Sequence, residues 1–198
     1  MKKFLLSVAV MVMAFAGTAQ VIFYVEPPST NTGIYDFIFA SSADGWGVSD
    51  LTIPANSVTG TMAFATDATP ADSLACDPVI SNVSGKIAVL YRGECQFGVK
   101  AKNAQDQGAI AVVIINNIPG ALNMTMSGGT DGPLVTIPVV MVTQETGALL
   151  AAEIATGTST AFIGSKTGNY PNDLGLYNQH VLRAEHFGNL QALSQNAS

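Results

Sequence analysis

The sequence predicts an α/β fold with a substantial antiparallel component, and three observations carry that expectation. Lys86–Tyr91 is a short β-rich run entered through Gly85; small and apolar residues then follow at helical spacing, and Ala109–Ile115 is an unbroken Val- and Ile-rich run. Strand, helix and strand within about thirty residues make a βαβ unit, whose crossover should be right-handed. A second strand and helix follow near Val139. The preceding part of the chain is strand-rich, so the whole should be a mixed sheet system with few helices.

Taken in order, Val21–Val25 and Tyr35–Phe39 are β-rich, separated by Pro27, Pro28 and the Ser29–Gly33 run, which read as loop. Ser41–Asn56 is a Gly/Ser/Asp-rich connection around the lone Trp46, Thr61–Thr66 reads as a strand, and Asp67–Val83 as a long polar loop. Phe97, Ala101, Ala104 and Gly108 fall on one helical face, with Lys100, Lys102, Asn103 and Asp106 elsewhere. The alanines let that helix lie close to a sheet, and Gly108 is placed to stop it. Ala109–Ile115 suits a strand covered on both faces. After a loop from Asn116 to Ile137, Pro138 leads into a strand at Val139–Val142. Thr143 can cap a helix with Glu145 in its first turn, Leu149, Leu150 and Ile154 on its apolar side, and Gly157 at its end. Thr160–Ile163 offers a last strand.

The ends read differently. Lys2 and Lys3 precede an apolar run from Phe4 to Ala16, with Gly17 and Ala19 at the −3 and −1 positions of a cleavage before Gln20. This is the pattern of an export signal over residues 1–19; the run is short for a membrane anchor, the alternative reading. Without those residues the chain has 6 basic against 14 acidic residues, a net charge of −8. A surface of that sign repels phosphate backbones, so nucleic acid is not an expected partner, and no later apolar stretch is long enough to span a membrane. No Lys or Arg lies between Phe4 and Gly85, whereas Glu26, Asp36, Asp44, Asp50, Asp67, Asp72 and Asp77 do. This suits solubility in a salty exterior; a calcium site is the alternative, without ligand-loop spacing to support it. The expected organisation is one domain over residues 20–164, then a polar linker from Ser165 and a tail to Ser198. Leu174–Ser198 reads as the start of a further domain or as a terminal helix.

Motifs for chemistry are missing from this pattern. Gly128-Gly129-Thr130-Asp131-Gly132 lacks the Lys and the flanking strand and helix of a phosphate loop, and there is no nucleophile elbow. His180 and His186 lie in the tail at a spacing that fits neither a zinc protease helix nor a common zinc finger. No catalytic residue, metal or cofactor is therefore expected. Cys76 and Cys95, two cysteines in an exported chain with no His nearby, favour a disulfide over a metal site.

The stretch GKIAVLYRGECQFGVKAKNAQDQGAIAVVIINN, Gly85 to Asn117, resembles the signature of protease-associated (PA) domains. That signature is a GKI strand, RGxCxF, a K-x-x-N-A helix, and a GA-x-AV-x-I strand ending in Asn. Ala75-Cys76-Asp77-Pro78 resembles the family's other half-cystine. Met126–Gly129 and Ile137–Val142 resemble its following loop and IP-strand. The resemblance runs over about Tyr35 to Gly164. It implies a swivelling β/β/α fold, mixed sheets with two flanking helices, Cys95 bridged to Cys76, and Phe97 anchoring the helix. Asn103 should lie on the helix surface or cap a nearby loop.

Function follows from the same resemblance. PA domains accompany secreted subtilases, aminopeptidases and other metallopeptidases, so the expectation is a secreted, non-catalytic module that contacts a polypeptide or an adjacent catalytic domain. The alternative is the N-terminal part of a larger secreted hydrolase with its catalytic residues beyond Ser198. Arg92 follows an apolar strand and should emerge at its carboxyl end, where open α/β sheets keep their ligand crevices. In related plant sorting receptors the RGxC segment is thought to meet cargo peptide. Arg92, Gly93 and Glu94, with Asn116, Asn117 and the loop to Thr136, are thus the candidate peptide-binding surface. The plainer reading has Arg92 pairing with a carboxylate to hold the loop.

Overall fold

The computed structural model describes residues 20–69, 73–157 and 159–166. The export signal, the tail with both histidines, and Asp72 lie outside them. The described residues form eight strands and two α-helices: β1 (Gln20–Val25), β2 (Gly33–Tyr35), β3 (Phe37–Phe39), β4 (Val58–Phe64), β5 (Ile87–Tyr91), α1 (Phe97–Asp106), β6 (Ala111–Ile115), β7 (Val139–Val142), α2 (Gln144–Thr156) and β8 (Thr160–Lys166). The strand order is β2-β1-β8-β4-β5-β6-β7-β3. The central four, β4 to β7, are parallel, and the flanking pairs are antiparallel. The result is a mixed α/β fold, as the sequence pattern implies.

β5, β6 and β7 are runs of apolar residues because both of their faces are covered. On β5, Ile87 and Val89 enter one core cluster while Ala88 and Leu90 enter the other, and β6 divides Val113 and Ile115 from Val112 and Ile114 in the same way. The alternation is the two-residue period of a strand. One cluster lies under α1, whose Ala101 and Ala104 are fully buried, with Phe97 packed against its edge. The other gathers Leu150 of α2 with Phe23, Val25 and Ile163 from the antiparallel strands.

The sheet closes on itself for the most part. The expected single strand Tyr35–Phe39 is two strands, broken at Asp36 and lying at opposite ends of the strand order. The Asp36 carbonyl accepts a hydrogen bond from Asn123 Nδ2 at 3.2 Å instead of a ladder bond. Phe23 on β1 meets Tyr35 on one side of the break and Phe37 on the other, each with ring centroids 6.4 Å apart. β4 is the second pivot: Val58–Thr61 pairs with β8 and Met62–Phe64 with β5. It begins three residues before the expected Thr61, because Gly60 interrupts the strand pattern. β8 continues through Ser165 and Lys166, opposite Val21 and Gln20, beyond the strand expected at Thr160–Ile163.

Two helix faces need correction. Lys100, assigned to the polar side of α1, is fully buried. At 3.6 residues per turn it sits only about 40° from Ala104, at the margin of the inner face. Leu149 is 40% exposed, on the outer side of α2. The ends of α2 form as the sequence indicates: the Thr143 hydroxyl accepts from the Thr146 N–H at 3.2 Å, and Gly157 takes φ 77°.

Glu153 of α2 fastens the β1–β2 connection. Its carboxylate accepts from the Thr30 hydroxyl (2.7 Å), Asn31 Nδ2 (2.7 Å) and the Asn31 N–H (3.2 Å). The Thr30 and Ser29 hydroxyls, with Asn31, hold the Glu153 carboxyl below its usual range. A carboxylate with a depressed folded pKa stabilises fully above its unfolded value and loses that contribution as pH falls through the folded one. The acid-side decline of the urea midpoint should therefore be shallower in Glu153→Gln, which keeps an acceptor oxygen but cannot titrate. Equal acid-side slopes for both proteins would show that this carboxylate is not linked to folding.

Candidate functional site

The carboxyl ends of β5, β6 and β7 are stitched together by the residues that follow them. The Arg92 N–H donates to Ile115 O at 2.8 Å, and the Asn116 N–H to Val142 O at 2.9 Å. Arg92 Nη1 then donates to Asn116 Oδ1 at 3.0 Å, and Asn116 Nδ2 to Leu122 O at 3.2 Å. Arg92 thus holds the loop through a carboxamide and not through a carboxylate. Asn116 is 1% exposed and acts from below, whereas Glu94 and Asn117 are exposed and Gly93 is half-buried.

The turn after Arg92 is conformationally special. Gly93 has φ 145° and Glu94 φ 56°, a left-handed conformation unusual for a residue with a side chain. A Cβ on Gly93 would lie 3.4 Å from Leu74 Cδ2 and 3.7 Å from Asn117 Nδ2. The turn therefore touches both the loop before β5 and the start of the loop after β6.

A disulfide joins Cys76 to Cys95, staple between these same segments. Beneath it the Cys76 loop is gripped by α1: Lys100 Nζ donates to Leu74 O (2.6 Å) and approaches Cys76 Sγ (3.4 Å), while Asn103 Nδ2 donates to Ala75 O (3.0 Å). Asp67, also buried, accepts from the Cys76 N–H (2.9 Å) and the Asp77 N–H (3.3 Å). Burial by itself would raise the Asp67 carboxyl, but hydrogen bonds from Thr69, Asp77 and Cys76 outweigh it and leave the group below its ordinary value. Burial pulls the Lys100 ammonium down to about 8, against the opposing attraction of Asp67 and Glu94. The sequence reading misses both charged groups; the only available signal was the position of Lys100 beside the alanine face.

Above this framework runs the loop after β6. It is tied down by Leu122 O on Asn116, by Asn123 on Asp36, and by the Gly120 N–H donating to Glu145 Oε1 at 2.9 Å. Three of its apolar side chains nevertheless face outward: Ile118 is 47% exposed, Leu122 63% and Met124 40%. Farther on, the Gly128–Gly132 stretch packs backbone to backbone against α1 and Gly45. That contact is what the glycine-rich segment serves. Among the described residues no group of three or more His, Cys, Asp or Glu side chains is placed to hold a metal ion, and no helix is long and apolar enough to cross a membrane.

Fold and site together define an α/β module with a disulfide-stapled turn and an anchored apolar loop at the carboxyl end of its parallel strands. The family model for the PA domain matches residues 48–150. The chain belongs to the PA domain family. It is 28% identical over 157 residues to leucine aminopeptidase 2 of Arthroderma otae, a match covering 73% of this chain and 31% of that enzyme. It is 38% identical over 88 residues to signal peptide peptidase-like 2 of Arabidopsis thaliana, covering 44% of this chain and 16% of the plant protein. Among solved structures, the aminopeptidase from Aneurinibacillus sp. strain AM-1 superposes with a TM-score of 0.50 at 27% identity, over 74% of this chain and 30% of that one. The chain thus spans about a third or less of the length of these relatives.

Proposed function

We propose that this is an exported, non-catalytic PA module of the swivelling β/β/α type, occupying residues 20–164, that binds extended polypeptide. Its contact surface consists of Arg92, Gly93, Glu94 and Asn117, supported from below by Asn116, and the loop carrying Ile118, Leu122 and Met124. The observation that carries the reading is the pairing of outward apolar side chains with an anchored backbone. Exposed apolar groups on a fixed loop can bury against a ligand with little ordering cost. One Arg92 guanidinium N–H is committed to Asn116; the rest of its donor fork is suited to peptide carbonyls or a carboxylate.

The test is fluorescence anisotropy of labelled, unstructured peptides of apolar, acidic and basic composition against the full chain. Leu122→Asp and Arg92→Ala are each expected to weaken binding of the apolar class at least tenfold. Unchanged affinity in both variants, or no binding by the parent protein, would sink the reading. So would peptide turnover by pure protein that a substitution in this chain abolishes.

A second reading has support of its own: the module works beside a catalytic domain, since the aminopeptidase it matches at 28% identity is about three times longer than the matched part. In that case the same loop contacts a neighbouring domain or guards access to its substrate. Identification of a catalytic domain in the reading frame downstream of Ser198, or of a co-purifying peptidase, distinguishes the two.

A further inference from the structure

The Lys100 ammonium has no part in the proposed peptide surface, yet it is fully buried and lies 3.4 Å from one sulfur of the only disulfide among the described residues. A buried cation is held against a group that gains negative charge only when the disulfide opens. A neighbouring cation stabilises a thiolate, both as a product of reduction and as a leaving group. The asymmetry matters, because the contact is to Cys76 and not to Cys95. The Asp67 and Glu94 carboxylates oppose it; Glu94 is exposed, and the Asp67 oxygens are committed to the Cys76 and Asp77 N–H groups and to Thr69.

The surrounding hydrogen bonds make opening a local event. Leu74 and Ala75 are fastened to α1 by Lys100 and Asn103, and the Cys76 N–H to Asp67, through hydrogen bonds that do not involve the sulfurs. Both cysteines are half-buried; Cys95 sits in the turn between exposed Glu94 and Gln96, on the side away from the Lys100 contact to Cys76.

We propose that Cys76–Cys95 is a thiol-exchange site that accepts electrons from a dithiol reductant. One thiolate of the reductant attacks Cys95 Sγ, forming a mixed disulfide; the Cys76–Cys95 bond breaks and its electron pair leaves on Cys76, held as a thiolate by Lys100. The second thiolate of the reductant attacks its own sulfur in the mixed disulfide and releases Cys95, which takes up a proton. The reductant ends as a disulfide, having given two electrons to the cysteine pair. Of its two protons one is on Cys95 and one in solvent. Reduction frees the Arg92–Cys95 turn from the Cys76 loop while the sheet and α1 remain folded.

The experiment equilibrates the full chain in graded mixtures of reduced and oxidised dithiothreitol, quenches with an alkylating reagent, and reads the reduced fraction by intact mass. Lys100→Met is expected to lower the equilibrium constant for reduction at least tenfold, about 30 mV for a two-electron couple. A value within twofold of the parent, with both proteins folded by circular dichroism, would overturn the proposal. Cys95→Ser provides an independent readout if Lys100→Met does not fold. Its Cys76 should be alkylated with a midpoint at least one pH unit below an ordinary free thiol, about 8.5. A midpoint at the ordinary value would also overturn it. With a monothiol such as glutathione the first adduct should map to Cys95; an adduct on Cys76 would reject the direction of attack.

Discussion

Trp46→Ala is expected to lower the unfolding free energy by about 3–5 kcal/mol, the usual range for truncating a buried large aromatic. Trp46 is the chain's single tryptophan and is buried among Met126, Val135 and the α1 alanines. Its indole Nε1 donates to Met126 O at 2.7 Å in the interior. Truncation therefore opens a cavity and leaves a buried carbonyl without its donor, a second loss of about 1–3 kcal/mol at most, so the upper part of the range is expected. Against a typical total of about 5–15 kcal/mol, this is a large share. Urea unfolding followed by circular dichroism measures it, since the substitution removes the fluorophore. Trp46→Phe, which keeps a ring but loses the N–H, should fall between parent and alanine. A loss below about 1 kcal/mol for the alanine variant would contradict the packing of the Trp46 segment against the Met126 loop, given what truncation of a buried Trp ordinarily costs.

Gly98→Ala should destabilise by about 3 kcal/mol or more, at the upper end of overpacking effects. In an exposed helix interior the same change is favourable by about 0.5–1 kcal/mol, so the sign itself is diagnostic. Here a Cβ would stand 2.0 Å from Gly128 O and 2.5 Å from Gly132 N. Both obstacles are backbone, and no side chain can swing aside. Gly128 in turn has Gly45 O 2.3 Å from the position of a Cβ. Three segments distant in sequence approach through glycines, and relieving the clash at one pushes the loop into the next. Chemical denaturation of Gly98→Ala beside the parent is the direct measurement. Neutral or increased stability would mean that α1 and the Gly128–Gly132 stretch do not meet so closely.

These two sites mark the border of what sequence reading reaches. The apolar runs of β5, β6 and β7, the alanine face of α1, the Thr143 cap and the Gly157 stop are local: each depends on residues a few positions apart, and each is found where the pattern puts it. The glycine cluster at Gly128–Gly132 is visible in the sequence as a failed phosphate loop and as part of a family motif, but not as a packing contact, because its partners, Gly45 and Gly98, lie far away in the chain. Likewise Tyr35–Phe39 carries the composition of one strand, and nothing local says that Asp36 must carry the chain from one end of the sheet order to the other. Leu149 and Leu150 look equivalent in sequence, but only Leu150 meets the core.

The candidate surface divides in the same way. That Arg92 emerges at a strand's carboxyl end follows from the apolar run before it. That its partner is Asn116, and that Asn116 is buried while Asn117 is not, depends on how β6 and its loop return beside β5.

By itself the sequence determined the α/β class, the central βαβ unit, the family, and the cysteine pair available for a bridge. Periodicity and motif order are properties of neighbouring residues, and burial on both faces demands apolar runs wherever a parallel strand is to lie. Only the tertiary structure decided the closure of the sheet at Asp36, the glycine-to-glycine contacts, the outward Ile118, Leu122 and Met124, and the burial of Lys100 beneath Cys76. Each of these depends on distances between segments remote in the chain. A lysine at the margin of a helix face is solvated or buried according to what packs over it, and here the Cys76 loop does.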